Sequence, residues 1–293
     1  MRVFTSVNLA YLDRAMVLQE TVRLHNPDWI FTLILVDEIP IAGNYSTLLT
    51  AFDQVVLAKD LGIPNFDSWI RKFTVVEACT AVKGFALEFL LNYDQGVTYL
   101  DPDIAVFHDL GVIEDLLLKN DIVLTPHLLE PEKDFRAISD NEVGLLKHGS
   151  FNLGFIAVGC TDEGKKFASW WAWRLYDYCF EDFENGLFVD QKWIDLVPAF
   201  FENVLVWRHR GANLASWNIN QRELKSSKDE FFVDGEPLLF LHFTKARTVG
   251  PAMTMRYGYN NIPLIHLWRW YIDKLNQYTS KVVLRDQKWA YAK

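Results

Sequence analysis

Val97-Thr98-Tyr99-Leu100-Asp101-Pro102-Asp103-Ile104-Ala105-Val106-Phe107 is an apolar, β-prone run that breaks into two carboxylates around one proline and then turns apolar again. It reads as a buried strand over Gly96–Leu100 that delivers Asp-x-Asp at its carboxyl end, where an open α/β sheet binds its ligand. Pro102 fixes its own φ and biases Asp101 toward extended backbone, so a stiff turn presents both side chains. Two hard oxygen ligands so placed suit a divalent cation that carries the phosphate oxygens of a substrate. An isolated Asp-x-Asp is more often a pair of solvated aspartates, so its meaning depends on the rest of the chain.

Upstream, Val3–Val7 reads as a buried first strand and Tyr11–His25 as an amphipathic helix stopped by Asn26-Pro27-Asp28. Trp29–Val36 reads as a second buried strand. A β-α-β opening of this kind predicts a doubly wound α/β sheet with a nucleotide site. No Gly-x-Gly-x-x-Gly and no P-loop follow the first strand, which argues against dinucleotide and Walker-type binding. Asp53–Ala58 predicts a short strand, and Phe66–Asn92 a helix in two pieces with Gly84 as its weak point.

Downstream of the aspartates, Leu110–Lys119 reads as a short helix and Asp121–Thr125 as a strand. Leu128–Ser150 is charged and lacks sustained periodicity, the pattern of a functional loop or lid. Phe151–Gly159 returns as a strand, Glu163–Phe180 as an aromatic-rich helix, and Asp190–Phe201 as another helix-like segment. Val204–Trp207 leads into the polar stretch Gly211–Asn220. Phe231–Val233 and Leu238–Phe243 flank Asp234-Gly235 as a hairpin. The simplest parse is one domain over 1–250 with a carboxyl-terminal extension over 251–293. His266, Trp268, Arg269, Trp270, Tyr271 and Lys274 give that extension a basic aromatic character. It can dock on its own domain or lie on an anionic membrane surface, and the first is favoured.

The chain has 293 residues, a net charge of −9, and 21 Phe, 11 Tyr and 11 Trp, a globular composition with enough apolar mass for a large core. Its acidity argues against a general nucleic-acid binder, which needs basic surface. Cys79, Cys160 and Cys179 are odd in number and widely spaced, fitting buried thiols in a reducing compartment. The amino terminus lacks a signal-peptide apolar region and no run is long enough to span a bilayer, so a soluble, cytoplasmic protein is expected.

Three further clusters can join the aspartates. Leu238-Leu239-Phe240-Leu241-His242-Phe243-Thr244-Lys245 ends an apolar strand in a histidine, with Lys245 and Arg247 as cations suited to a pyrophosphate. Asp190-Gln191-Lys192-Trp193 offers a carboxylate and an amide, although Asp190 equally suits a helix N-cap. In Phe151-Asn152-Leu153-Gly154-Phe155 an amide and a glycine interrupt a strand, and Gly154 marks either close approach to backbone or a bulge.

Taken in order, β-α-β, Tyr-Leu-Asp-Pro-Asp, Phe-Asn-x-Gly, Asp-Gln and Leu-His-Phe-Thr resemble the metal-dependent glycosyltransferases of the GT-A fold. The chain looks most like the glycogenin and lipopolysaccharide galactosyltransferase group (glycosyltransferase family 8-like), from roughly Val3 to Arg247. The resemblance implies a single Rossmann-like domain with a mixed central sheet flanked by helices. It implies Asp101, Asp103 and His242 as ligands of Mn²⁺ or Mg²⁺, the imidazole favouring Mn²⁺. It implies Thr5, Ser6, Asn8, Lys83 and Asp101 on the nucleotide, Asn152 and Gly154 on the donor sugar, and Asp190 and Gln191 beside the anomeric carbon. Lys245 stands where the family has glycine and no Lys-Pro-Trp follows, so Lys245 and Arg247 are assigned to the pyrophosphate from proximity.

The activity implied is transfer of a sugar, UDP-hexose being the expected donor, to an acceptor hydroxyl of a glycan or lipid-linked glycan. Retention of configuration is expected, in cell-surface polysaccharide or lipopolysaccharide synthesis at the inner face of the membrane. Asn213, Trp217 and Asn218 offer the acceptor a stacking face and amides. An inverting enzyme with Asp190 as base, a nucleotidyltransferase, and a sugar-nucleotide or glycan-binding module without turnover are the alternatives. The nucleotidyltransferase lacks its expected glycine-rich basic loop.

Overall fold

The computed structural model describes residues 1–40, 45–228, 230–281 and 288–292. Along the chain, β1 (Arg2–Val7) is followed by α1 (Leu12–His25), β2 (Ile30–Leu35), β3 (Gln54–Leu57), α2 (Val75–Leu90), β4 (Gly96–Leu100) and β5 (Ile104–Val106). Then come β6 (Ile122–Pro126), β7 (Phe151–Gly159), α3 (Asp162–Tyr178), α4 (Gln191–Ile194), β8 (Val204–Val206), β9 (Leu214–Ala215), β10 (Phe240–His242) and α5 (Ile262–Lys281). Seven strands form the central sheet in the order β8-β6-β7-β4-β1-β2-β3.

β7 runs antiparallel to both β4 and β6, while β1 pairs parallel with β2 and β4. The sheet is therefore mixed, as predicted. The reversal brings the start of β7 to the edge at which β1 and β4 end. Near-continuous apolar strands are what a sheet covered on both faces requires. Phe4, Ile34, Tyr99 and Ile156 pack with α2 and α3 on one face. Their neighbours Val3, Leu33, Leu35, Leu100 and Phe155 pack with α1 on the other. Each fully buried side chain of this kind contributes roughly 1.5–3 kcal/mol.

The predicted helix over Phe66–Asn92 breaks at Phe73-Thr74, not at Gly84. Thr74 and Glu77 close a capping box that starts α2 afresh. Gly84 lies inside α2 because α3 crosses there: a Cβ at this position would sit 2.5 Å from the Ala172 Cα. Leu128–Ser150 is a second correction. It contains one unbroken helical run: Phe135–Ala137, a π turn at Ile138–Glu142, and Val143–His148. The run leaves no periodic signature because Phe135, Val143 and Leu146 are exposed while Asn141 is buried.

The hairpin at Asp234-Gly235 forms, with φ of 51° and 91°, but it joins Glu230–Val233 to Glu236–Pro237. β10 leaves it and enters a second sheet, antiparallel to β5 and parallel to β9. All three residues of β10 are buried, and a solvent-facing hairpin offers no such cover.

α5 lies along α1, where the Lys274 ammonium bonds Glu20 at 2.6 Å and the Thr279 hydroxyl donates to Asp13 at 3.0 Å. Residues 288–292 return to the end of β2, the Trp289 indole donating to the Val36 carbonyl at 2.8 Å. Positions 282–287 and 293 of the predicted extension lie outside the described residues. Among the described residues, no helix is long and apolar enough to cross a membrane.

Candidate active site

The carboxyl ends of β1 and β4 and the start of β7 wall a cavity of about 330 Å³. Strand pairing sets the register: the Asp101 amide donates to the Gly154 carbonyl at 2.8 Å, and the Phe243 amide to the Asp103 carbonyl at 2.8 Å. The second sheet thus carries His242 to the Asp-x-Asp turn across 139 positions of sequence, the difference between 242 and 103.

Asp101, Asp103 and His242 each offer a ligand atom, and these atoms lie within 4.8 Å of one another. His242 Nε2 is 2.9 Å from Asp103 Oδ1 and 3.7 Å from Asp101 Oδ2. An octahedral ion with bonds of about 2.1 Å has adjacent ligands about 3 Å apart, so one ion fits this set. The imidazole is aimed by Asn152, whose Oδ1 lies 3.3 Å from Nδ1. That oxygen also accepts from the Gly154 amide and from Asn213, which identifies it as the oxygen of the amide. Nδ1 therefore carries the hydrogen and Nε2 faces the carboxylates. Burial opposes charge on this ring, but Asp103 and Asp101 outweigh it and raise the His242 pKa above its ordinary value.

Gly154 makes room for that ring. A Cβ there would meet His242 Cε1 and Nδ1 at 2.6 Å and Asn152 Oδ1 at 2.7 Å. What approaches the Gly154 backbone is thus the candidate metal ligand. Gly154→Ala is expected to tilt His242 and weaken Mn²⁺ affinity about tenfold, read by metal titration of the folded variant. Unaltered affinity would show that the ring position is not critical.

Lys83 is the second centre of the site. Its ammonium lies 2.9 Å from Asp190 Oδ2, 3.2 Å from Asp101 Oδ1 and 4.1 Å from the Tyr99 ring centroid. Burial works against its charge, but Asp101 and Asp190 hold it well above the usual lysine value. Burial raises the Asp190 carboxyl, and Lys83 restrains the rise. Asp190 occupies the N-cap position of α4 yet makes no side-chain capping bond; its carboxylate serves Lys83 instead. The preceding residue, Val189, has φ of 39°, rare for a β-branched side chain and a sign of strain at this corner.

Gln191 is bonded at both ends. Its Oε1 accepts from the Leu153 amide at 3.2 Å and Asn152 Nδ2 at 3.3 Å, while Nε2 donates to the His148 carbonyl at 3.0 Å. Asn152 Nδ2 also lies 3.2 Å from His127 Nε2. Burial pushes the His127 pKa down to about 3, so this ring stays neutral and accepts through Nε2.

The other predicted residues divide. Ser6, Asn8, Lys83, Asn152 and Trp217 line the cavity with the metal group and Asp190-Gln191. Trp217 stands edge-on to His242 at 5.2 Å and to His127 at 5.3 Å. Thr5 is buried in β1 behind the wall. Asn213 and Asn218 are buried and do not line the cavity: the Asn213 amide donates to Asn152 and Thr125, and the Asn218 amide to the His127 and Asn213 carbonyls. Lys245 is exposed and not among the lining residues; its φ of 52° is the left-handed backbone expected of a glycine position. Arg247 bonds Asp13 at 2.9 Å, Thr279 at 2.7 Å and Asn276 at 3.2 Å.

Sequence reading missed Tyr99, whose hydroxyl donates to Asp101 at 2.5 Å, and His127. Tyr99 stands inside the decisive motif, within the strand that reads as buried over Gly96–Leu100. His127 follows Pro126 at a strand end, a weak but present signal.

No protein-family model matches the chain. Uncharacterized protein YfnF of Bacillus subtilis (strain 168) is 30% identical over 187 residues, 59% of this chain and 58% of that protein. Uncharacterized protein YfnD of the same organism is 28% identical over 178 residues, 58% of this chain and 54% of that protein. The chain thus spans little more than half the length of these curated relatives. Among solved structures it is similar to the galactosyltransferase LgtC in complex with donor and acceptor sugar analogs. That likeness has a TM-score of 0.53 at 15% identity and covers 96% of this chain and 100% of the other. It is also similar to the glycosyltransferase GlyE of Streptococcus pneumoniae TIGR4, with a TM-score of 0.52 at 16% identity over 98% of this chain and 65% of that one. The chain has the GT-A fold that these glycosyltransferases share, with an Asp-Asp-His group at its centre that can bind a metal.

Proposed function

We propose that this chain is a metal-dependent, retaining glycosyltransferase that moves a hexose from a nucleoside diphosphate sugar, UDP-hexose being the first candidate, to an acceptor hydroxyl. The observation that carries the proposal is the meeting, in one cavity, of Asp101, Asp103 and His242 with Lys83, Asn152, Asp190 and Gln191.

Asp101, Asp103 and His242 would hold Mn²⁺ or Mg²⁺. The bound ion supplies Lewis-acid stabilisation of the charge that develops on the leaving diphosphate. Ser6 and Asn8 at the end of β1 take the nucleoside side. Lys83 bridges Asp101 and Asp190 and restrains the rise that burial causes in the Asp190 carboxyl. Asn152 and Gln191, each bonded on both ends of its amide, present fixed dipoles to the sugar. Retention rests on the family resemblance; because Gln191 is a carboxamide and a poor nucleophile, a retaining reaction here would run by front-face attack assisted by the leaving diphosphate. Asp190 acting as base in an inverting reaction fits less well, because its Oδ2 is engaged by a buried ammonium. The acceptor approaches over Trp217 and the segment from Phe135 to His148, and a cell-surface glycan suits that open side.

The test is a thermal-shift screen of nucleotide sugars with Mn²⁺. A ligand at 100 times its dissociation constant adds about 2.7 kcal/mol to native stability, so the true donor stands out. Stabilisation should need both components and should fall with pH. His242 must lose its Nε2 proton to bind a metal, and its raised pKa keeps that proton to higher pH than in a free histidine. Metal-dependent stabilisation is therefore full above the raised pKa and fades as pH falls through it. The metal-free His242–Asp103 pair behaves oppositely, stabilising at low pH and weakening as pH rises. If no nucleotide sugar shifts the transition with Mn²⁺ at alkaline pH, the proposal is wrong. If a donor binds without sugar release, the chain is a binding module.

A further inference from the structure

We propose that Tyr271 of α5 is a positioning residue for the metal centre, acting through Phe243; the proposal rests on the metal reading above. Phe243 links two of the three candidate ligands. It follows His242 in the chain, and its amide donates to the Asp103 carbonyl at 2.8 Å. Its ring is fully buried, and the Tyr271 ring lies flat against it, with centroids 4.0 Å apart and planes 3° from parallel. Trp268, one turn earlier on α5, meets the Phe243 ring edge-on at 5.1 Å. The His242-Phe243 step is thus held from behind by a helix, while Asn152 and Gly154 hold the imidazole from in front.

The helix cannot slide freely. Its far end is tied to α1 through Thr279 on Asp13 and Lys274 on Glu20, and Arg247, four residues beyond Phe243, bonds Asp13 and Thr279. The operative part of Tyr271 is the ring. Its hydroxyl is buried without a hydrogen-bond partner among the described residues, so the stack holds although an unpaired polar group opposes it. A metal centre tolerates displacements of only about 0.5 Å in its ligands, and loss of a supporting group weakens metal binding about 10–100-fold.

The test compares Mn²⁺ dissociation constants, by electron paramagnetic resonance of the free ion, for the full chain and its variants well below their thermal midpoints. Tyr271→Leu, which removes the flat face, is expected to weaken Mn²⁺ about tenfold or more. Tyr271→Phe, which keeps it, is expected to restore wild-type affinity without lowering the thermal midpoint. A purely structural role would lower the midpoint of Tyr271→Leu and leave the affinity of the folded protein unchanged, and that result overturns the proposal. So does a Tyr271→Phe variant as weak as Tyr271→Leu. Should Tyr271→Leu fail to fold, Tyr271→Met carries the same expectations with less lost volume. A wild-type chain that binds no Mn²⁺ refutes the metal reading and this proposal together, whereas tight wild-type binding unaffected by Tyr271→Leu refutes this proposal alone.

Discussion

Asp103→Ala is expected to lower metal-dependent release of sugar from the donor by about a thousandfold, with the fold intact. Asp103 is the sharper choice of the two aspartates. Asp101 also bonds Lys83 and the Tyr99 hydroxyl, so its removal disturbs a buried network. The charged partner of the Asp103 side chain is His242, at 2.9 Å. Burial pushes the Asp103 carboxyl up, but the facing His242 outweighs it and holds the group below its ordinary value, ready to bind a cation. Without Asp103, His242 loses the main source of its raised pKa and titrates at lower pH, which NMR of the ring can follow. Mn²⁺ titration, donor hydrolysis and the thermal midpoint together decide the matter. Wild-type turnover in the variant, or in EDTA, would remove the metal from the proposal.

Lys83→Met carries the largest expected effect on stability. The ammonium sits between two carboxylates, and Asp190 is buried. Removing one partner of a buried ion pair leaves the other unpaired in low dielectric, which costs about 3–5 kcal/mol. For a chain of this size the thermal midpoint should fall on the order of 10 °C. The same loss returns Asp190 toward its protonated form, because Lys83 restrains the rise that burial causes. Adding Asp190→Asn removes the orphaned charge, so the double variant should regain part of the midpoint while remaining inactive. A Lys83→Met protein as stable and as active as the wild type would show that the buried triad serves neither fold nor site.

Much of this was legible in the residues. Asp101-Pro102-Asp103 declared its place because a buried strand ending in paired carboxylates is a local pattern, and the β-α-β opening is set by periodicity and stop signals. The helical run over Phe135–His148 was not legible, since a π turn shifts its register and it exposes Phe135, Val143 and Leu146 while burying Asn141, so no apolar stripe marks it. Gly84 looked like a weak point because propensity sees a missing side chain; only the crossing of α3 shows that the gap is filled by Ala172. Arg247 was read as a phosphate contact from its nearness to His242 in sequence, and its bonds to Asp13, Asn276 and Thr279 come from elements far away in the chain.

By itself, the sequence determined the character of each part: buried strands, a stiff acidic turn, and a histidine ending an apolar run. The tertiary structure alone decided which of these parts meet. The antiparallel turn of β7 and the pairing of β10 with β5 bring Asn152, Gly154 and His242 to Asp101 and Asp103, and α2 brings Lys83 between Asp101 and Asp190. The reason is physical. Strand propensity and turn chemistry act over a few neighbouring residues, whereas charge, burial and ligand geometry depend on distances of about 3–4 Å between groups that only the packed chain brings together.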